Sequence, residues 1–168
     1  LMSRALVVID IQNDYFADGV LPLHDADETS ARIAKAMESA QNAGDRIVLV
    51  QHISKAASGL FASGGTGVDI HPAILAAAAD APIVIKHVAD SFQDTDLASH
   101  LEGVDTLLIC GMMTQNCVVF TAMSKAAEKF NIIVVEDLCA APTETVHKIA
   151  LSALRSKLEV QSSEQVWG

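Results

Sequence analysis

The sequence is poor in aromatic residues and in basic residues. Aromatic side chains make up 4% of the 168 residues, and 11 Lys and Arg stand against 21 Asp and Glu, for a formal net charge of -10. An acidic surface repels phosphate backbones and anionic lipid headgroups. The composition therefore argues against nucleic acid and against a membrane surface as partners.

Cysteine is also scarce, and no long apolar run is present. The three cysteines are Cys110, Cys117 and Cys139, an odd number without a Cys-x-x-Cys pair. This pattern excludes a disulfide framework and a thiolate zinc site. No apolar run approaches the roughly 20 residues that span a bilayer, and residues 1–4 lack the apolar stretch of a signal peptide. We therefore expect reduced thiols and a cytoplasmic protein.

Hydrophobic residues make up 51% of the chain and charged residues 19%, which excludes intrinsic disorder. The length suits one domain over residues 1–168. Short apolar runs alternate with helical stretches, and the runs predict strands at 5–9, 46–50, 82–85, 104–109, 132–135 and 158–160. Strands that are apolar on both faces are typical of a parallel sheet covered by helices. Right-handed crossovers then give a three-layer α/β/α sandwich.

Polar residues follow several of the predicted strands. Asp10 and Lys86 stand directly behind apolar runs, at the edge of a parallel sheet where ligands bind. A buried charge is tolerable when it is paired, so the two residues are candidates for an ion pair. The alternative is that Asp10 caps a loop and that Lys86 extends to solvent.

The segment 111–120, GMMTQNCVVF, follows a buried strand and begins a predicted helix. Thr114 is expected as the N-cap, which places Cys117 in the first turn. Free amides and the helix dipole there favour a thiolate and could hold an oxyanion. The alternative is a small buried cysteine at a helix start. Cys110 is expected in the core, and Cys139 in a turn.

Three motifs in chain order resemble the isochorismatase-like cysteine hydrolase superfamily. They are VIDIQNDYF at 8–16, a central block with IHP at 70–72, VIK at 84–86 and SFQDTDL at 91–97, and GMMTQNCV at 111–118. The resemblance covers nearly the whole chain. It implies a six-stranded parallel, Rossmann-like sheet with the order 3-2-1-4-5-6.

The resemblance also implies a catalytic triad of Cys117, Asp10 and Lys86. Asp10 would accept the thiol proton, Lys86 would hold the charges in place, and Cys117 would attack a carbonyl to form an acyl-enzyme that water releases. The backbone amides of Met113 and Cys117 would form the oxyanion hole. A cis peptide would lie between Met112 and Met113.

The nicotinamidase branch of the superfamily binds a metal through Asp-x-His and a later histidine. This chain has His52, Ile53 and Ser54 at the first position, with His71 as the later histidine. One or two imidazoles and a hydroxyl make a poor zinc site, so we expect no metal and no other cofactor. His52 is interpreted as a core or loop histidine, and His71 as preceding a helix.

A thiol at the nucleophile position favours hydrolysis of a C–N bond in a small amide or carbamoyl compound. Two alternatives stay open: vinyl-ether hydrolysis of the isochorismatase type, and a non-catalytic thiol-based sensor or binding domain. Residues 56–67 are interpreted as a flexible flap, and the resemblance implies a homo-oligomer. Candidate pocket residues, each equally suited to packing, are Tyr15, Phe16, Phe61, Phe92 and Gln115.

Overall fold

A computed structural model describes residues 3–168. Leu1 and Met2 lie outside the described residues. They belong to the segment 1–4, for which the sequence predicts no signal peptide. Six strands form one sheet: β1 (Arg4–Ile9), β2 (Arg46–His52), β3 (Ile83–Lys86), β4 (Thr106–Met112), β5 (Asn131–Ala140) and β6 (Glu159–Gln161). Every pairing is parallel, and the order is β3-β2-β1-β4-β5-β6. The predicted fold class and strand order are confirmed.

Helices cover both faces of the sheet. They are α1 (Ala26–Asn42), α2 (Pro72–Ala77), α3 (Leu97–His100), α4 (Val119–Ala122), α5 (Glu144–Arg155) and α6 (Ser163–Trp167). No helix within residues 3–168 is long and apolar enough to cross a membrane. Alternate residues of β1 enter opposite cores, because successive side chains of a strand point to opposite faces. Leu6 belongs to the same core cluster as Ile33 of α1, whereas Val7 belongs to the cluster that contains Leu151 of α5.

The strand ends differ from the predictions at the edge that carries the polar residues. β4 continues to Met112 rather than ending at residue 109, and β5 continues to Ala140 rather than ending at residue 135. The register of β5 against β4 shifts between Ile109 and Gly111, an irregularity that a run of apolar residues does not reveal. Cys139 therefore lies in a strand, and its expected place in a turn is wrong.

Candidate active site

The strand register brings Asp10 and Lys86 to one edge of the sheet. Asp10 directly follows β1, and Lys86 ends β3, where it pairs with His52 of β2. Strand β2 separates β3 from β1, so the side chains of Lys86 and Asp10 together span two inter-strand spacings, about 10 Å in all. The four-carbon stem of Lys86 makes this possible, and its Nζ lies 3.0 Å from Oδ2 of Asp10.

Cys117 completes a compact group of three side chains. Its Sγ lies 3.3 Å from Nζ of Lys86. Asp10 and Lys86 have no exposed surface, and Cys117 is 3% exposed. The structure thus brings together the three residues that the motifs predict as a triad, and both charges are paired, as burial requires.

The ammonium of Lys86 uses its three N–H donors on partners other than Asp10. It donates to Nδ1 of His52 at 2.8 Å, to the carbonyl oxygen of Val88 at 3.0 Å and to Sγ of Cys117. The contact with Asp10 is an ion pair, and neither carboxylate oxygen has a donor of good hydrogen-bond geometry among the described residues. Asp10 therefore keeps lone pairs that are free to accept a proton. Lys86 and Cys117 nevertheless lie close enough to Asp10 to oppose the rise of its pKa.

Cys117 lies in a π-helical turn, Thr114–Val118, that leads into the short helix α4. The N-cap is Met113, so the expectation that Thr114 caps the helix is wrong. The hydroxyl of Thr114 instead forms a 2.8 Å hydrogen bond with Nδ1 of His147 in α5, which ties the turn to the neighbouring helix. The peptide bond between Met112 and Met113 is cis, as the resemblance implies.

The local charge state of Cys117 differs from the expectation. Burial, followed by the negative charge of Asp10, raises the pKa of the thiol to about 12, and the charge of Lys86 opposes this shift only in part. This direction runs against the thiolate that the helix start was expected to favour, because burial disfavours the charged form of a thiol and a neighbouring carboxylate adds to the effect. Burial also raises the pKa of Asp10, against the opposing charge of Lys86.

Gly111 allows β4 to run close beside β1 just before the π-helical turn that holds Cys117. It adopts φ 128°, and a Cβ there would lie 2.1 Å from the carbonyl oxygen of Ile9. Only glycine fits such a position. Asp10 also adopts a left-handed conformation, with φ 56°, which aspartate tolerates better than most residues. Both strained positions adjoin the triad, where such conformations commonly occur.

Two of the candidate pocket residues lie beside the triad. Tyr15 is buried, and its pKa is raised by burial and by the nearby charges of Asp10, Cys117 and Asp14. Phe61 packs edge-on against Tyr15, with ring centroids 4.8 Å apart, and its ring lies 5.7 Å from that of His52. These contacts join Tyr15 and Phe61 to His52, which contacts Lys86.

The other three candidates have different surroundings. Phe16 packs against His71, whose Nδ1 caps α2 by accepting a hydrogen bond from the amide of Ala73. Phe92 stacks on Phe130, at the start of β5 and away from the carboxyl ends of the strands. Gln115 is half-buried in the π-helical turn that holds Cys117, and its Oε1 has no partner among the described residues. The pocket roles of Phe16, Phe92 and Gln115 stay predictions.

Asp14 anchors the segment 56–67 over this site. Its Oδ2 accepts from the amide of Phe61 at 2.8 Å, and its own amide donates to the carbonyl of Gly67 at 2.9 Å. Most of the segment is exposed, whereas Phe61 is buried. Sequence reasoning missed Asp14 as an anchor, although it lies inside the first motif. The segment is thus attached through Phe61, and its flexibility stays a prediction.

His52 is the main residue whose place sequence reasoning misjudged. It contacts Lys86 directly, so the interpretation as a core or loop histidine is wrong. Gln12 holds its backbone: Oε1 accepts from the amide of His52 at 2.8 Å, and Nε2 donates to its carbonyl at 2.8 Å. The position of His52 at the carboxyl end of a predicted strand was the available signal.

Ligand atoms of Asp10, His52 and Cys117 lie within 4.8 Å of one another, the spacing of a possible metal site. The ammonium of Lys86 lies 2.8–3.3 Å from all three of these side chains. A cation already occupies the space, so a metal does not fit among these residues while Lys86 is in place. His71 is engaged in capping α2 and does not join this group.

Comparison with known proteins identifies the family of the chain. Residues 4–165 match the isochorismatase domain family. An uncharacterized isochorismatase family protein of Bacillus subtilis is 36% identical over 166 residues, covering 91% of this chain and 92% of its own. The nicotinamidase of Escherichia coli is 25% identical, covering 81% of this chain and 82% of its own. A crystal structure of a putative isochorismatase from Burkholderia xenovorans superposes with a TM-score of 0.90 at 32% identity, covering 99% of this chain and 86% of that one. The chain belongs to the isochorismatase family.

Proposed function

We propose that the chain is a cysteine-dependent hydrolase of a C–N bond in a small amide or carbamoyl compound. The observation that carries this proposal is the contact of one buried ammonium, Lys86, with both the Cys117 sulfur at 3.3 Å and the Asp10 carboxylate at 3.0 Å. A nucleophile, a base and a fixed cation are the groups that acyl transfer through a thioester requires. The similarity to a nicotinamidase favours an amide as the substrate.

The first half-reaction starts from a neutral thiol. Sγ of Cys117 attacks the substrate carbonyl carbon while Asp10 takes the thiol proton. The carbonyl oxygen becomes an oxyanion, for which the backbone amides of Met113 and Cys117 are the proposed donors. The C–N bond then breaks, and the leaving nitrogen takes the proton from Asp10. Lys86 stabilises the negative charge as it passes from the carboxylate to the sulfur.

The second half-reaction returns the enzyme to its resting state. Water attacks the thioester carbonyl while Asp10 accepts one of its protons. The C–S bond breaks, the carboxylic or carbamic acid leaves, and the sulfur regains the proton from Asp10. The raised pKa of Asp10 suits this role, because a base with a pKa nearer to neutral accepts and returns a proton efficiently.

The test is a screen over small amides and carbamoyl compounds, with mass spectrometry of the acylated protein. We expect turnover, acylation at Cys117, and loss of activity by several orders of magnitude in Cys117→Ala. Cys139→Ala, a cysteine in β5, is the matched control and should retain activity. Activity retained after loss of Cys117 would favour vinyl-ether hydrolysis instead. A reactive Cys117 without turnover of any amide would favour a thiol sensor.

We also propose a cytoplasmic location and assembly with further copies of the chain. The three cysteines are unpaired and buried, which suits a reducing compartment. Large apolar side chains are exposed on edge strand β3, at Ile83 and Ile85, and on α4, at Phe120. Exposed apolar patches commonly mark interfaces. Light scattering of the purified protein should give a multiple of 17.7 kDa, and a monomer at all concentrations would contradict the assembly.

A further inference from the structure

Lys86 donates its shortest hydrogen bond to His52, a side chain that takes no part in the proposed proton transfers. The distance from Nζ to Nδ1 is 2.8 Å, against 3.0 Å to the carbonyl of Val88 and 3.3 Å to Sγ of Cys117. An ammonium has three N–H donors, so these three acceptors use all of them. Asp10 is left with an electrostatic contact and two oxygens without donors.

The protonation state of His52 suits this arrangement. Burial, followed by the charges of Lys86 and His87, lowers the pKa of the imidazole to about 4. His52 is therefore neutral at pH 7, and Nδ1 is free to accept because the single ring proton lies on Nε2. A protonated imidazole would instead place a second positive charge against the ammonium.

We propose that His52 is a positioning residue that holds one N–H of Lys86 away from Asp10, so that the carboxylate keeps its lone pairs for the proton of Cys117. This role rests on the proposed function of Asp10 as the base. Without an acceptor at position 52, the released N–H turns to the nearby carboxylate. A hydrogen bond to the charged form of an acid stabilises that form and lowers its basicity.

Asp10 is faced by titratable groups from each neighbouring element. They are His52 from β2, Lys86 from β3, Cys117 from the π-helical turn and Tyr15 from the 3-10 turn after β1. Tyr15 stays protonated because its pKa is raised. Between the pKa of His52, about 4, and pH 8, the pH dependence of the site is therefore that of the proton shared by Asp10 and Cys117.

The test compares acceptor and non-acceptor side chains at position 52. His52→Phe and His52→Leu keep the apolar contact with Phe61 but lack an acceptor, whereas His52→Asn offers an amide oxygen near the place of Nδ1. Gln12 holds the backbone of residue 52 and not its side chain, so the strand end should keep its place in all three. His87→Leu is the matched control, since His87 is exposed and bonds to the carbonyl of Ile53 rather than to Lys86.

The measurement is the rate of Cys117 alkylation by iodoacetamide between pH 4 and pH 9, followed by mass spectrometry. On the plateau of the pH–rate profile, we expect His52→Phe and His52→Leu to react at least about tenfold more slowly than the original chain. This is the size of effect that the loss of one charge-assisted hydrogen bond produces. The acid limb of their pH–rate profile, the range in which the rate falls as the pH falls, should move to lower pH because Asp10 is then a weaker base. His52→Asn should restore both the plateau and the limb, and His87→Leu should match the original chain.

Equal losses in His52→Asn and His52→Phe would overturn the proposal, because packing alone would then account for the effect. An unchanged plateau and limb in a folded His52→Phe or His52→Leu would also overturn it. Near-ultraviolet circular dichroism establishes folding for each variant. Alkylation needs no amide substrate, so a failed substrate screen and a failed role for His52 give separate results.

Discussion

Asp10 and Lys86 form an ion pair in which both side chains are completely buried, with Nζ 3.0 Å from Oδ2. Desolvation makes such a pair of little net value for stability, whereas removal of one partner leaves a charge that nothing compensates. The pair is therefore better explained by chemistry than by stability. It also makes the protein sensitive to single substitutions at either position.

We predict that Lys86→Met lowers the free energy of unfolding by about 3 kcal/mol at neutral pH. Asp10→Asn combined with Lys86→Met should recover most of this loss, because the remaining side chains are neutral. Urea unfolding of both variants and of the original chain measures the difference. A double variant as unstable as the single one would show that the loss comes from the packing of the Lys86 hydrocarbon stem and not from its charge.

The loss in Lys86→Met should depend on pH with a defined sign. Burial raises the pKa of Asp10, and removal of Lys86 takes away the main opposing interaction and leaves only the weaker one with the side chain of Cys117. The folded state therefore binds the Asp10 proton more tightly than the unfolded state does, so this contribution is fully present below the ordinary pKa of 3.8. It is lost as pH rises through the raised folded value. Unfolding at pH 5 and pH 8 should show the larger loss at pH 8, and the reverse order would contradict the pKa direction.

The sequence predicted the sheet and the three residues at its carboxyl edge because both depend on local patterns. Apolar runs locate strands, and parallel strands place their ends together. It could not predict the hydrogen-bond acceptors of Lys86, because these depend on the register of β3 against β2, which sets His52 opposite Lys86. Nor could it predict the thiol pKa, since desolvation depends on the packing of the whole site and outweighs the helix start.

We predict that Asp10→Asn separates thiol reactivity from turnover. Amide turnover should fall by about 100-fold or more, because no side chain then carries the proton to the leaving nitrogen. Alkylation of Cys117 should persist, with its acid limb moved to higher pH. In the original chain Asp10 and Cys117 share the titrating proton, whereas Asp10→Asn leaves only the thiol, whose ordinary pKa of 9.0 is far above the 3.8 of a carboxyl group.

Alkylation by iodoacetamide across the pH range, alongside turnover of the best amide, measures both effects of Asp10→Asn. The control for loss of one negative charge near the site is Asp14→Asn, which changes an acid that anchors Phe61 rather than a member of the triad. Its acid limb should match that of the original chain. An acid limb that stays in place in Asp10→Asn would show that another group accepts the proton.

Removal of metal ions should leave the activity unchanged. The ammonium of Lys86 lies among the ligand atoms of Asp10, His52 and Cys117, and a divalent ion there would meet strong repulsion from the fixed charge. Turnover measured before and after dialysis against a chelator tests this expectation. Loss of activity with recovery on adding Zn²⁺ would show that a metal takes part.

Gly67 should be intolerant of a side chain because it lies against the anchor of the flap. A Cβ at this position would lie 2.1 Å from Oδ1 of Asp14, whose carboxylate is already fixed by the amides of Phe61 and Val20. We expect Gly67→Ala to cost about 1–3 kcal/mol, as overpacking of a fixed group does. The same change should alter turnover, since Phe61 packs against Tyr15 and His52.

Gly65→Ala is the matched control for Gly67→Ala, because a Cβ at Gly65 meets nothing within 4 Å. It lies in the same exposed segment, so its unfolding midpoint and turnover should match those of the original chain. Thermal unfolding and KM for the best amide distinguish the two variants. If Gly67→Ala were as stable and as active as Gly65→Ala, the contact between Asp14 and the flap would not hold Phe61 over the site, and access to Cys117 would be controlled elsewhere.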